Sequence, residues 1–573
     1  MIDFTWKIGG PAGFGIKTTG DMFSKVMMRG GYHIFDYVEY PSLIRGGHNV
    51  TETRVSSKEV FSQKKNVDVL VVLNKESYDL HKAELSEISY VIYDKDQFEI
   101  KPEEVVKGVE LIPVPLRQIT KDVGATKVME NNVALGASLG LVNADLKLLF
   151  ELIEKQFGRK GEEVVAENHK VAEAGYKHVQ KLTSKLEVPF KLTDNQEYIE
   201  RSFVTGNDAV ALGAIVAGCQ MYIAYPMSPS SSILHTLAAA AEKVGMVVRH
   251  SEDEIAVINS ACGAGYAGAR VMIGTSGGGF SLMVEGLGLV ALTETPLVIV
   301  DAQRPGPATG MPTWTGQGDL RFVLHAHQDD FPRIVLAPGD VEESFELGWK
   351  AFNYAEKYQL PVFILLDKYL SESHKSTEAV KAEGVTIDRG KIVDNWDSKR
   401  EQYLRYKRTD DGIAPRSVPG TPNALFTANS YEHDEYGYSS EDPQMRIDQV
   451  GRRNRKLEEF VKLELPEPEV YGPAESELTL VGWGSTKGPV LQAMQTDHLN
   501  FNYLHLNYLW PFPSAKVKDV LSKAKNILLI EGNSAAELGG LIRQETGIKI
   551  EDRYLKYDGR PFYPEDILER IKK

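Results

Sequence analysis

Hydrophobic positions in this chain are concentrated in short runs separated by longer segments. Runs such as VDVLVVL, ARVMIGT, PLVIVDA and PVFILLD are rich in branched residues and have the length of buried strands. The longer segments between them are predicted to be helices, as in NNVALGASLGLV. Strands that alternate with helices in this way predict an α/β fold made of several doubly wound domains.

The same pattern divides the chain into compact regions joined by irregular ones. We predict α/β domains over residues 1–185, 201–375 and 471–573, with a linker over 186–200. Residues 376–470 are charged and rich in turns, and only their last part has a helical pattern. So long a loop is uncommon inside a compact domain, so we expect it to wrap or bind another part of the molecule.

Composition narrows the class of protein. Of the 573 residues, 42% are hydrophobic and 25% are charged, as in soluble globular proteins. The formal net charge of −15 argues against general nucleic-acid binding. No apolar run has the length of a membrane span, and the first residues lack the pattern of a secretory signal. We therefore expect a cytoplasmic protein that binds neither nucleic acid nor membrane.

The chain contains only two cysteines, Cys219 and Cys262. Both lie in apolar segments rich in glycine, so we predict buried structural thiols. An iron–sulfur cluster usually needs about four thiolates. If the protein takes part in redox chemistry, its electron carrier is therefore expected on another chain.

The segment YPMSPSS follows a short predicted strand and precedes a helix. Pro226 and Pro229 restrict the backbone, so they hold Met227 and Ser228 in a defined loop, and a following serine is expected to cap the helix. Open α/β sheets bind ligands at the carboxyl ends of their strands. An ordinary rigid turn is the alternative.

A cluster of acids, Glu252, Asp253 and Glu254, stands where a strand meets a helix rich in small residues. Simple capping of the helix explains such acids. A glutamate buried at this crowded junction would instead have a raised pKa suited to proton exchange. Composition alone leaves both interpretations open.

The loop RPGPATGMPTWTG carries a candidate anion-binding arginine. Arg304 comes directly after a predicted strand, and Thr309 lies in the same loop. A guanidinium on a rigid loop suits a carboxylate, although a surface ion pair is also possible. The EHDE stretch at 432–435 is discounted as a metal site, because four consecutive side chains do not converge easily.

The first glycine-rich turn, GGPAGFGIK, leads from a strand into a helix and includes Gly13, Gly15 and Lys17. Its backbone N–H groups could meet a phosphate or another anion. The neighbouring RGGHN segment places Arg45 and His48 in a predicted loop that could also meet an anion. A tight turn with close packing, or a contact with a neighbouring domain, explains these residues equally well.

Several of these motifs, taken in order, resemble one enzyme family. YPMSPSS, EDEIA, TSGGGFSLM and QRPGPATGMPT are similar to the alpha subunit of 2-oxoacid:ferredoxin oxidoreductases. GGPAGFGIKTTG, RGGHN and NNVALGA resemble the gamma subunit of that family, fused ahead of alpha. GIAPRSVPGT, EHDEYG, LWPFP, EGN and YDGRPF continue the resemblance to the end of the chain.

The resemblance implies a thiamine diphosphate fold that binds the pyrimidine over residues 201–375, and a transketolase C-terminal-like domain over 471–573. Thiamine diphosphate would be shared with a separate beta subunit, which is expected to hold Mg²⁺ and a [4Fe-4S] cluster. Glu254 would contact the cofactor's aminopyrimidine, with Glu252 as the fallback. Pro226 and Pro229 would shape the loop beside the cofactor.

The resemblance also assigns substrate residues. Ser228 would contact the 2-oxo acid where the family commonly has threonine, and Arg304 would bind the substrate carboxylate. Met227 and Thr309 are expected to lie beside them. Gly13, Gly15, Lys17, Arg45 and His48 form a possible site for coenzyme A or another anion.

The activity implied is oxidation of a 2-oxo acid with coenzyme A to acyl-CoA and CO₂, with electrons passed to ferredoxin. We predict 2-oxoglutarate as the substrate and an (αβ)₂ assembly with the beta subunit. A broad-specificity, pyruvate or indolepyruvate enzyme is the alternative within the family. A noncatalytic scaffold for an electron-transfer partner is the alternative outside it.

Overall fold

The computed structural model describes residues 2–41, 47–192, 199–378, 380–399, 401–496 and 499–573. The strands are β1 (Asp3–Pro11), β2 (His33–Glu39), β3 (His48–Ser56), β4 (Val67–Val72), β5 (Leu85–Tyr93), β6 (Glu110–Pro113), β7 (Ser202–Thr205), β8 (Met221–Ala224), β9 (Val247–His250), β10 (Val271–Thr275), β11 (Leu297–Gln303), β12 (Ile334–Leu336), β13 (Pro361–Asp367), β14 (His374–Thr377), β15 (Val470–Tyr471), β16 (Leu478–Trp483), β17 (Phe501–Leu506), β18 (Tyr508–Trp510), β19 (Ile527–Glu531) and β20 (Arg553–Leu555).

The α-helices are α1 (Ile16–Arg29), α2 (Lys75–His81), α3 (Leu116–Asp122), α4 (Glu130–Val142), α5 (Leu146–Phe157), α6 (Glu162–Leu182), α7 (Gly206–Val216), α8 (Ser231–Val244), α9 (Glu254–Tyr266), α10 (Gly277–Leu292), α11 (Leu320–His325), α12 (Val341–Tyr358), α13 (Lys368–Glu372), α14 (Pro443–Leu463), α15 (Lys487–Thr496), α16 (Ser514–Lys523), α17 (Glu537–Thr546) and α18 (Pro564–Lys572).

The chain divides into two compact units. The first comprises Met1–Val204, Ser373–Ala379 and Phe562–Lys573, and the second comprises Thr205–Glu372 and Val380–Pro561. This division does not test the domain boundaries predicted from the sequence, which stay predictions.

The first unit contains an eight-stranded sheet in the order β6-β5-β4-β1-β3-β2-β14-β7. β6, β5, β4 and β1 pair in parallel, while β1–β3, β3–β2 and β2–β14 are antiparallel. Trp6 of β1 stacks on Phe23 of α1 with ring centroids 4.1 Å apart, at the centre of a core of fully buried residues. The predicted strand–glycine turn–helix at the start of the chain is therefore present.

The second unit contains a seven-stranded sheet in the order β18-β12-β13-β11-β10-β8-β9. Every pairing in it is parallel except β12–β18. Its strands are buried runs of branched residues, because helices cover a parallel sheet on both faces. The predicted strands ARVMIGT, PLVIVDA and PVFILLD are β10, β11 and β13.

A third sheet, also in the second unit, has the order β15-β17-β16-β19-β20. It is parallel apart from β15. The run NYLHLNYL, which we expected within the last domain, contributes to two sheets: β17 joins the third sheet and β18 joins the seven-stranded one. Asn507 between them is bonded through its carbonyl to the N–H of Ala337.

The irregular segment between β14 and α14 contains turns and two isolated bridges but no helix or strand within its described residues, 380–399 and 401–442. Side chains hold it in place. Buried Arg405 donates to Gln359 Oε1 (2.8 Å) and to the Glu294 carbonyl (2.9 Å), and Arg416 pairs with Glu356. Polar anchoring of this kind stabilises backbone that has no regular partner.

The predicted α/β fold is confirmed: two of the three sheets are largely parallel, and the eight-stranded sheet combines parallel and antiparallel pairings. Among the described residues, no helix combines the length and apolar character needed to cross a membrane.

Candidate active site

Four loops of the second unit converge at one edge of the seven-stranded sheet. They follow β8, β9, β10 and β11, which are parallel and therefore end at the same edge. The chain passes from β8 outward to β9 and then crosses to β10 on the other side of β8. This reversal makes the crevice between β8 and β10 a topological switch point, where open α/β sheets bind ligands.

The loops meet around Gly278, the second residue of α10. A Cβ built on Gly278 would lie 3.9 Å from Met227 Sδ and 3.7 Å from the Ala308 carbonyl oxygen. The loops after β8 and β11 therefore both reach the first turn of α10. This places the YPMSPSS, TSGGG and QRPGPATG motifs side by side, as a shared site requires.

The loop after β8 is fixed by hydrogen bonds to its own backbone. The N–H and Oγ of Ser230 both donate to the Met227 carbonyl, at 2.9 and 2.8 Å, and Asn207 Nδ2 donates to the Pro229 carbonyl at 2.8 Å. The prediction that a serine side chain caps α8 is wrong. Ser230 occupies the capping position, but its backbone is helical (φ −73°) and its hydroxyl is a donor to Met227.

Arg304 reaches this loop from the neighbouring strand. It follows β11 directly and is half-buried, and its Nη1 donates to the Ser228 carbonyl at 2.8 Å. Burial lowers the Arg304 pKa, and nearby Asp319 opposes that change. The structure therefore brings together the serine and the arginine that the sequence assigned to one substrate.

The acid cluster after β9 separates into three different environments. Asp253 caps α9, since its Oδ1 accepts the Ala256 N–H at 2.7 Å. Glu252 is exposed, whereas Glu254 is only 3% exposed as the first residue of the helix. Capping thus explains Asp253 alone, and Glu254 is the acid that is buried at the junction.

Glu254 has an unused acceptor. Its Oε1 is buried without a hydrogen-bond partner among the described residues. A Cβ built on Gly279 would lie only 2.6 Å from this oxygen, so the absence of a side chain at Gly279 gives the carboxylate its room. An unsatisfied buried acceptor costs about 1–3 kcal/mol, and a hydrogen-bond donor placed beside this oxygen would remove that cost.

Thr309 and Thr313 occupy different positions on the loop after β11. Thr309 is exposed, while Thr313 is 4% exposed with an Oγ1 that has no partner among the described residues. Gln317 anchors the end of this loop to the third sheet: its Oε1 accepts the Gly532 N–H at 2.8 Å and its Nε2 donates to the Trp483 carbonyl at 3.0 Å.

The sequence analysis assigned no role to three other residues of this region: Thr313, which lies in the arginine loop, Asp301 and Asp319. Asp301 of β11 is fully buried, and Asp319 ends the arginine loop just before α11. An aspartate inside the apolar strand PLVIVDA was the available signal for Asp301, because strand interiors rarely contain an acid. Asp319 before an apolar helix resembled an ordinary capping residue.

The predicted anion-binding segments of the first unit also come together. Gly13 and Gly15 have φ of 88° and 71°, values that favour glycine, and Lys17 is exposed. The Ala12 N–H donates to the Gly47 carbonyl at 3.2 Å, so the glycine turn lies against Gly47. Arg45 lies outside the described residues.

His48 belongs to a histidine pair and not to a loop. It is the first residue of β3, and its Nε2 lies 2.8 Å from His81 Nε2. Burial, then the neighbouring His81, lower the His48 pKa. A neutral imidazole at this position is a weaker anion ligand than the predicted exposed histidine.

The remaining sequence predictions concern the two cysteines and the EHDE stretch. Cys219 and Cys262 are buried free thiols, as predicted, and burial raises the Cys219 pKa to about 12. In the EHDE stretch, Glu432 pairs with Arg453, while His433 Nδ1 lies 2.9 Å from the Tyr431 carbonyl. The acids and the histidine thus point to separate partners.

A separate cavity of about 600 Å³ lies between α10, the segment after α11 and α14. Its arginines, Arg446 and Arg453, already pair with Glu432 and Asp329. None of the described residues that line the cavity has a buried side-chain nitrogen or oxygen without a partner, in contrast to the crevice above.

Two family models match the chain. Residues 212–452 match "Pyruvate flavodoxin/ferredoxin oxidoreductase, thiamine diP-bdg". This range of the chain contains the four converging loops. Residues 5–178 match "Pyruvate ferredoxin/flavodoxin oxidoreductase".

Curated and solved relatives cover nearly the whole chain. It is 32% identical over 99% of its length to 2-oxoacid:ferredoxin oxidoreductase subunit alpha of Sulfolobus sp, covering 96% of that protein. It is 31% identical to 2-oxoglutarate synthase subunit KorA of Methanothermobacter thermautotrophicus, over 65% of this chain and 99% of that one. A solved structure of 2-oxoglutarate:ferredoxin oxidoreductase from Magnetococcus marinus, with 2-oxoglutarate, coenzyme A and succinyl-CoA bound, is 35% identical with a TM-score of 0.93, covering 100% of this chain and 99% of that one.

Proposed function

This chain belongs to the family of 2-oxoacid:ferredoxin oxidoreductase alpha subunits, and we propose that its substrate is 2-oxoglutarate. The complex would convert 2-oxoglutarate and coenzyme A to succinyl-CoA and CO₂ and pass two electrons to ferredoxin, reversibly. Enzymes of this family depend on thiamine diphosphate. The choice of 2-oxoglutarate is supported by the ligands of the Magnetococcus structure and by the names of relatives such as KorA.

The observation that carries the catalytic proposal is the unpartnered Glu254 carboxylate at the switch point. It fits the cofactor's aminopyrimidine, because a buried acceptor without a protein donor matches a ring that needs a hydrogen bond. When bound, thiamine diphosphate supplies the carbanion-stabilising chemistry of decarboxylation. Glu254 would hold and exchange a proton at Oε1, while exposed Glu252 is the weaker candidate.

Arg304 and Ser228 are proposed to bind the part that all 2-oxo acids share. The guanidinium Nη1 already holds the Ser228 carbonyl, so its other N–H groups are the donors for a carboxylate. The Ser228 hydroxyl would donate to the keto or carboxylate oxygen. Met227 and Thr309 are proposed to line the substrate, with Pro226 and Pro229 shaping the loop against the cofactor.

The glycine turn of the first unit is proposed as the coenzyme A or anion site. Gly13 and Gly15 place backbone N–H groups at the start of α1, where the helix dipole favours a phosphate. Lys17 is exposed and adds positive charge. His48, paired with His81, is expected to contribute shape more than charge, and Arg45 stays a prediction from sequence.

The active complex requires partner subunits. A beta subunit is proposed to hold the diphosphate, Mg²⁺ and a [4Fe-4S] cluster, and to assemble with this chain as (αβ)₂. Exposed apolar side chains around the crevice suit such a partner: Ile255 next to Glu254 and Leu282 on α10 are about half exposed. A cytoplasmic location is proposed on the need for ferredoxin and coenzyme A.

Reconstitution with the beta subunit tests the proposal. The complex would be assayed with coenzyme A and ferredoxin on 2-oxoglutarate, pyruvate and indolepyruvate. We expect kcat/KM for 2-oxoglutarate to exceed the others by at least about tenfold, or 1.4 kcal/mol. A preference for pyruvate or indolepyruvate, or equal rates on all three, would replace the substrate proposal. A scaffold would support no substrate-dependent acylation of coenzyme A.

A further inference from the structure

The third sheet has a topological switch point of its own. From β16 the chain passes to β17 on one side, and it then crosses to β19 on the other side of β16. The three strands are parallel, so β16 and β19 end at the same edge. Open α/β sheets bind ligands in the crevice that such a reversal creates, here between the ends of β16 and β19.

Part of this second crevice is filled by an acid of the chain itself. Glu531, the last residue of β19, is fully buried. In the first turn of α17, the Leu538 N–H donates to Glu531 Oε1 at 2.8 Å and the Gly539 N–H donates to Oε2 at 3.3 Å. A helix N-terminus at a switch point suits an anionic ligand, and the Glu531 carboxylate occupies that position here.

Another part of the crevice is filled by Gln317 of the arginine loop, which is buried. Its Nε2 donates to the Trp483 carbonyl at 3.0 Å, and its Oε1 accepts the Gly532 N–H at 2.8 Å. Its main-chain N–H donates to the Gly532 carbonyl at 2.8 Å, and its own carbonyl accepts from Asn533 Nδ2 at 2.9 Å. Side chain and main chain are therefore both bonded to the ends of β16 and β19, as a bound ligand would be.

Two glycines give the Gln317 amide its room. A Cβ built on Gly484, directly after β16, would lie 2.9 Å from Gln317 Nε2. One built on Gly532, directly after β19, would lie 3.1 Å from Oε1. Both distances are shorter than the about 3.5–4.0 Å of ordinary contacts. The walls of the crevice therefore follow the shape of the glutamine side chain.

The arginine loop, residues 304–319, is closed at its base beside this contact. The Asp319 N–H donates to Gln303 Oε1 at 3.1 Å, so the last residue of the loop is bonded to the residue that precedes Arg304. Gln317 lies two residues before this closure. The crevice of the third sheet therefore fixes the end of the loop that returns to the base of Arg304.

We propose that Gln317 is a built-in ligand of the third sheet and a positioning residue that holds the arginine loop, and with it Arg304, at the substrate crevice. The inference rests on the proposed substrate role of Arg304. Arg304 Nη1 donates to the Ser228 carbonyl on a different loop, so the two loops must keep their relative places for substrate to bind. A loop held in its binding conformation loses less entropy when substrate binds, which lowers KM without changing the chemical step.

Gln317→Leu in the reconstituted complex is the principal test, at a temperature well below unfolding. Leucine keeps the volume of the side chain but makes none of the amide's hydrogen bonds. We expect KM for the 2-oxo acid to rise about tenfold, with kcat within about twofold and KM for coenzyme A unchanged. Amide hydrogen exchange over residues 305–316 should become faster. A purely structural role would lower kcat or the yield of folded complex and would not separate the two KM values.

Gln449→Leu is the matched control. Gln449 of α14 is also buried, donates to the Tyr406 carbonyl at 3.1 Å and accepts from Arg452 Nε at 2.7 Å. The substitution removes one donated and one accepted bond outside the arginine loop. It should destabilise the complex but leave KM for the 2-oxo acid, and exchange over residues 305–316, at wild-type values. An equal rise of KM in both leucine variants would trace the effect to lost stability and would overturn the proposal.

Gly532→Ala tests the crevice without removing a polar group. Its methyl group would lie 3.1 Å from Gln317 Oε1, so the amide must move to make room. We expect KM for the 2-oxo acid to rise about threefold and exchange over residues 305–316 to become faster. Wild-type KM together with wild-type exchange in Gly532→Ala would overturn the proposal, even if Gln317→Leu gave no folded complex.

The substrate proposal and the positioning proposal fail in different ways. If Arg304→Lys leaves KM for every 2-oxo acid unchanged while Gln317→Leu speeds exchange in the loop, the substrate role of Arg304 is wrong and the built-in ligand stands. If Arg304→Lys raises KM while Gln317→Leu changes neither KM nor exchange, the positioning role of Gln317 alone is wrong. Faster exchange in Gln317→Leu without a rise in KM would also contradict the positioning role.

Discussion

Glu254 is buried at the start of α9 with a carboxylate oxygen that no described residue satisfies. Replacement by glutamine keeps the shape of the side chain but removes its capacity to exchange a proton. We expect Glu254→Gln to fold normally and largely to keep cofactor binding. Turnover should fall by the roughly 10²–10⁴ typical of a lost acid–base group. The test measures kcat of the reconstituted complex and, separately, its affinity for the cofactor by titration.

Glu252→Gln is the matched control, because Glu252 lies two residues away but is exposed. It should be close to wild type. An inactive Glu252→Gln beside an active Glu254→Gln would reverse the assignment of the two acids.

Arg304 and Ser228 should act on every 2-oxo acid alike. Arg304→Lys loses the planar fork and the bond to the Ser228 carbonyl, so it should raise KM for the 2-oxo acid more than Ser228→Ala does. Ser228→Ala keeps that main-chain bond and loses one hydroxyl, at about 1.5–3 kcal/mol. KM for coenzyme A is the internal control. Selective loss of one 2-oxo acid would place these residues against the variable side chain of the substrate.

For a single residue, the sequence allows a prediction when the residues that determine its environment are close to it along the chain. The acid cluster at a strand–helix junction beside small residues is visible in the sequence, but only the family resemblance singled out Glu254 within it. Thr313 and Asp319 could not be distinguished from ordinary loop and capping residues. Their unpartnered buried atoms arise only when α10 and the loops close over them. His48 was predicted in a loop, but tertiary pairing with β1 makes it part of a strand.

Among the larger elements, the arginine loop is attached to the third sheet through Gln317, which is 2% exposed. Gln317→Leu keeps the volume but leaves the Gly532 N–H and the Trp483 carbonyl without partners. We expect a loss of about 2–6 kcal/mol, at about 1–3 for each group, measured by denaturant unfolding. Gln544→Leu, at an exposed position of α17, should change stability by less than about 0.5 kcal/mol. Equal stability of the two variants would contradict this anchoring role.

Helix α14 is held by a buried ion cluster. Arg452 and Lys456 both pair with Glu294, with Arg452 Nη1 3.0 Å from Oε2. The two cations hold the Glu294 pKa well below its ordinary value against the effect of burial. Glu294→Gln leaves both cations uncompensated, so we expect a loss of about 3–5 kcal/mol.

The pH dependence of that loss follows from the lowered pKa. Glu294 contributes its full stabilisation above the unfolded pKa of about 4.3 and loses it only as pH falls toward the folded value. The difference in unfolding free energy between wild type and Glu294→Gln should therefore persist from pH 8 to pH 5. Burial lowers the Lys456 pKa to about 7, and Glu294 opposes that change, so the difference should grow as Lys456 gains its proton toward pH 5. A difference that disappears within that range would contradict an ionised, buried Glu294.

The hydrophobic pattern predicted several strands correctly, but it did not predict which sheet every strand joins. The runs of branched residues correctly predicted β10, β11 and β13, because burial on both faces of a parallel sheet leaves a continuous apolar signal. β14 is a polar tetrapeptide that pairs with β2, more than three hundred residues earlier in the chain. No local pattern marks such a short polar strand, and none indicates that β18 joins the seven-stranded sheet while β17 joins the third.

At the scale of the whole molecule, the arrangement of residues that could ligate a metal bears on where the electron carrier lies. Among the described residues, no group of three or more histidine, cysteine, aspartate or glutamate side chains is arranged to hold a metal ion. The location of the electron carrier on the partner subunit stays a prediction from the two cysteines of this chain.

The division of labour between subunits predicts the optical and chemical properties of the isolated chain. It should be colourless and free of an iron–sulfur cluster, because Cys219 and Cys262 are two buried thiols and a cluster needs about four thiolates. Burial also raises the pKa of both thiols, which opposes the thiolate form that iron binds. Iron and sulfide analysis of anaerobically purified chain, with the reconstituted complex as the positive control, is the measurement. A stoichiometric cluster in the chain alone would place the electron carrier here and would refute its assignment to the beta subunit.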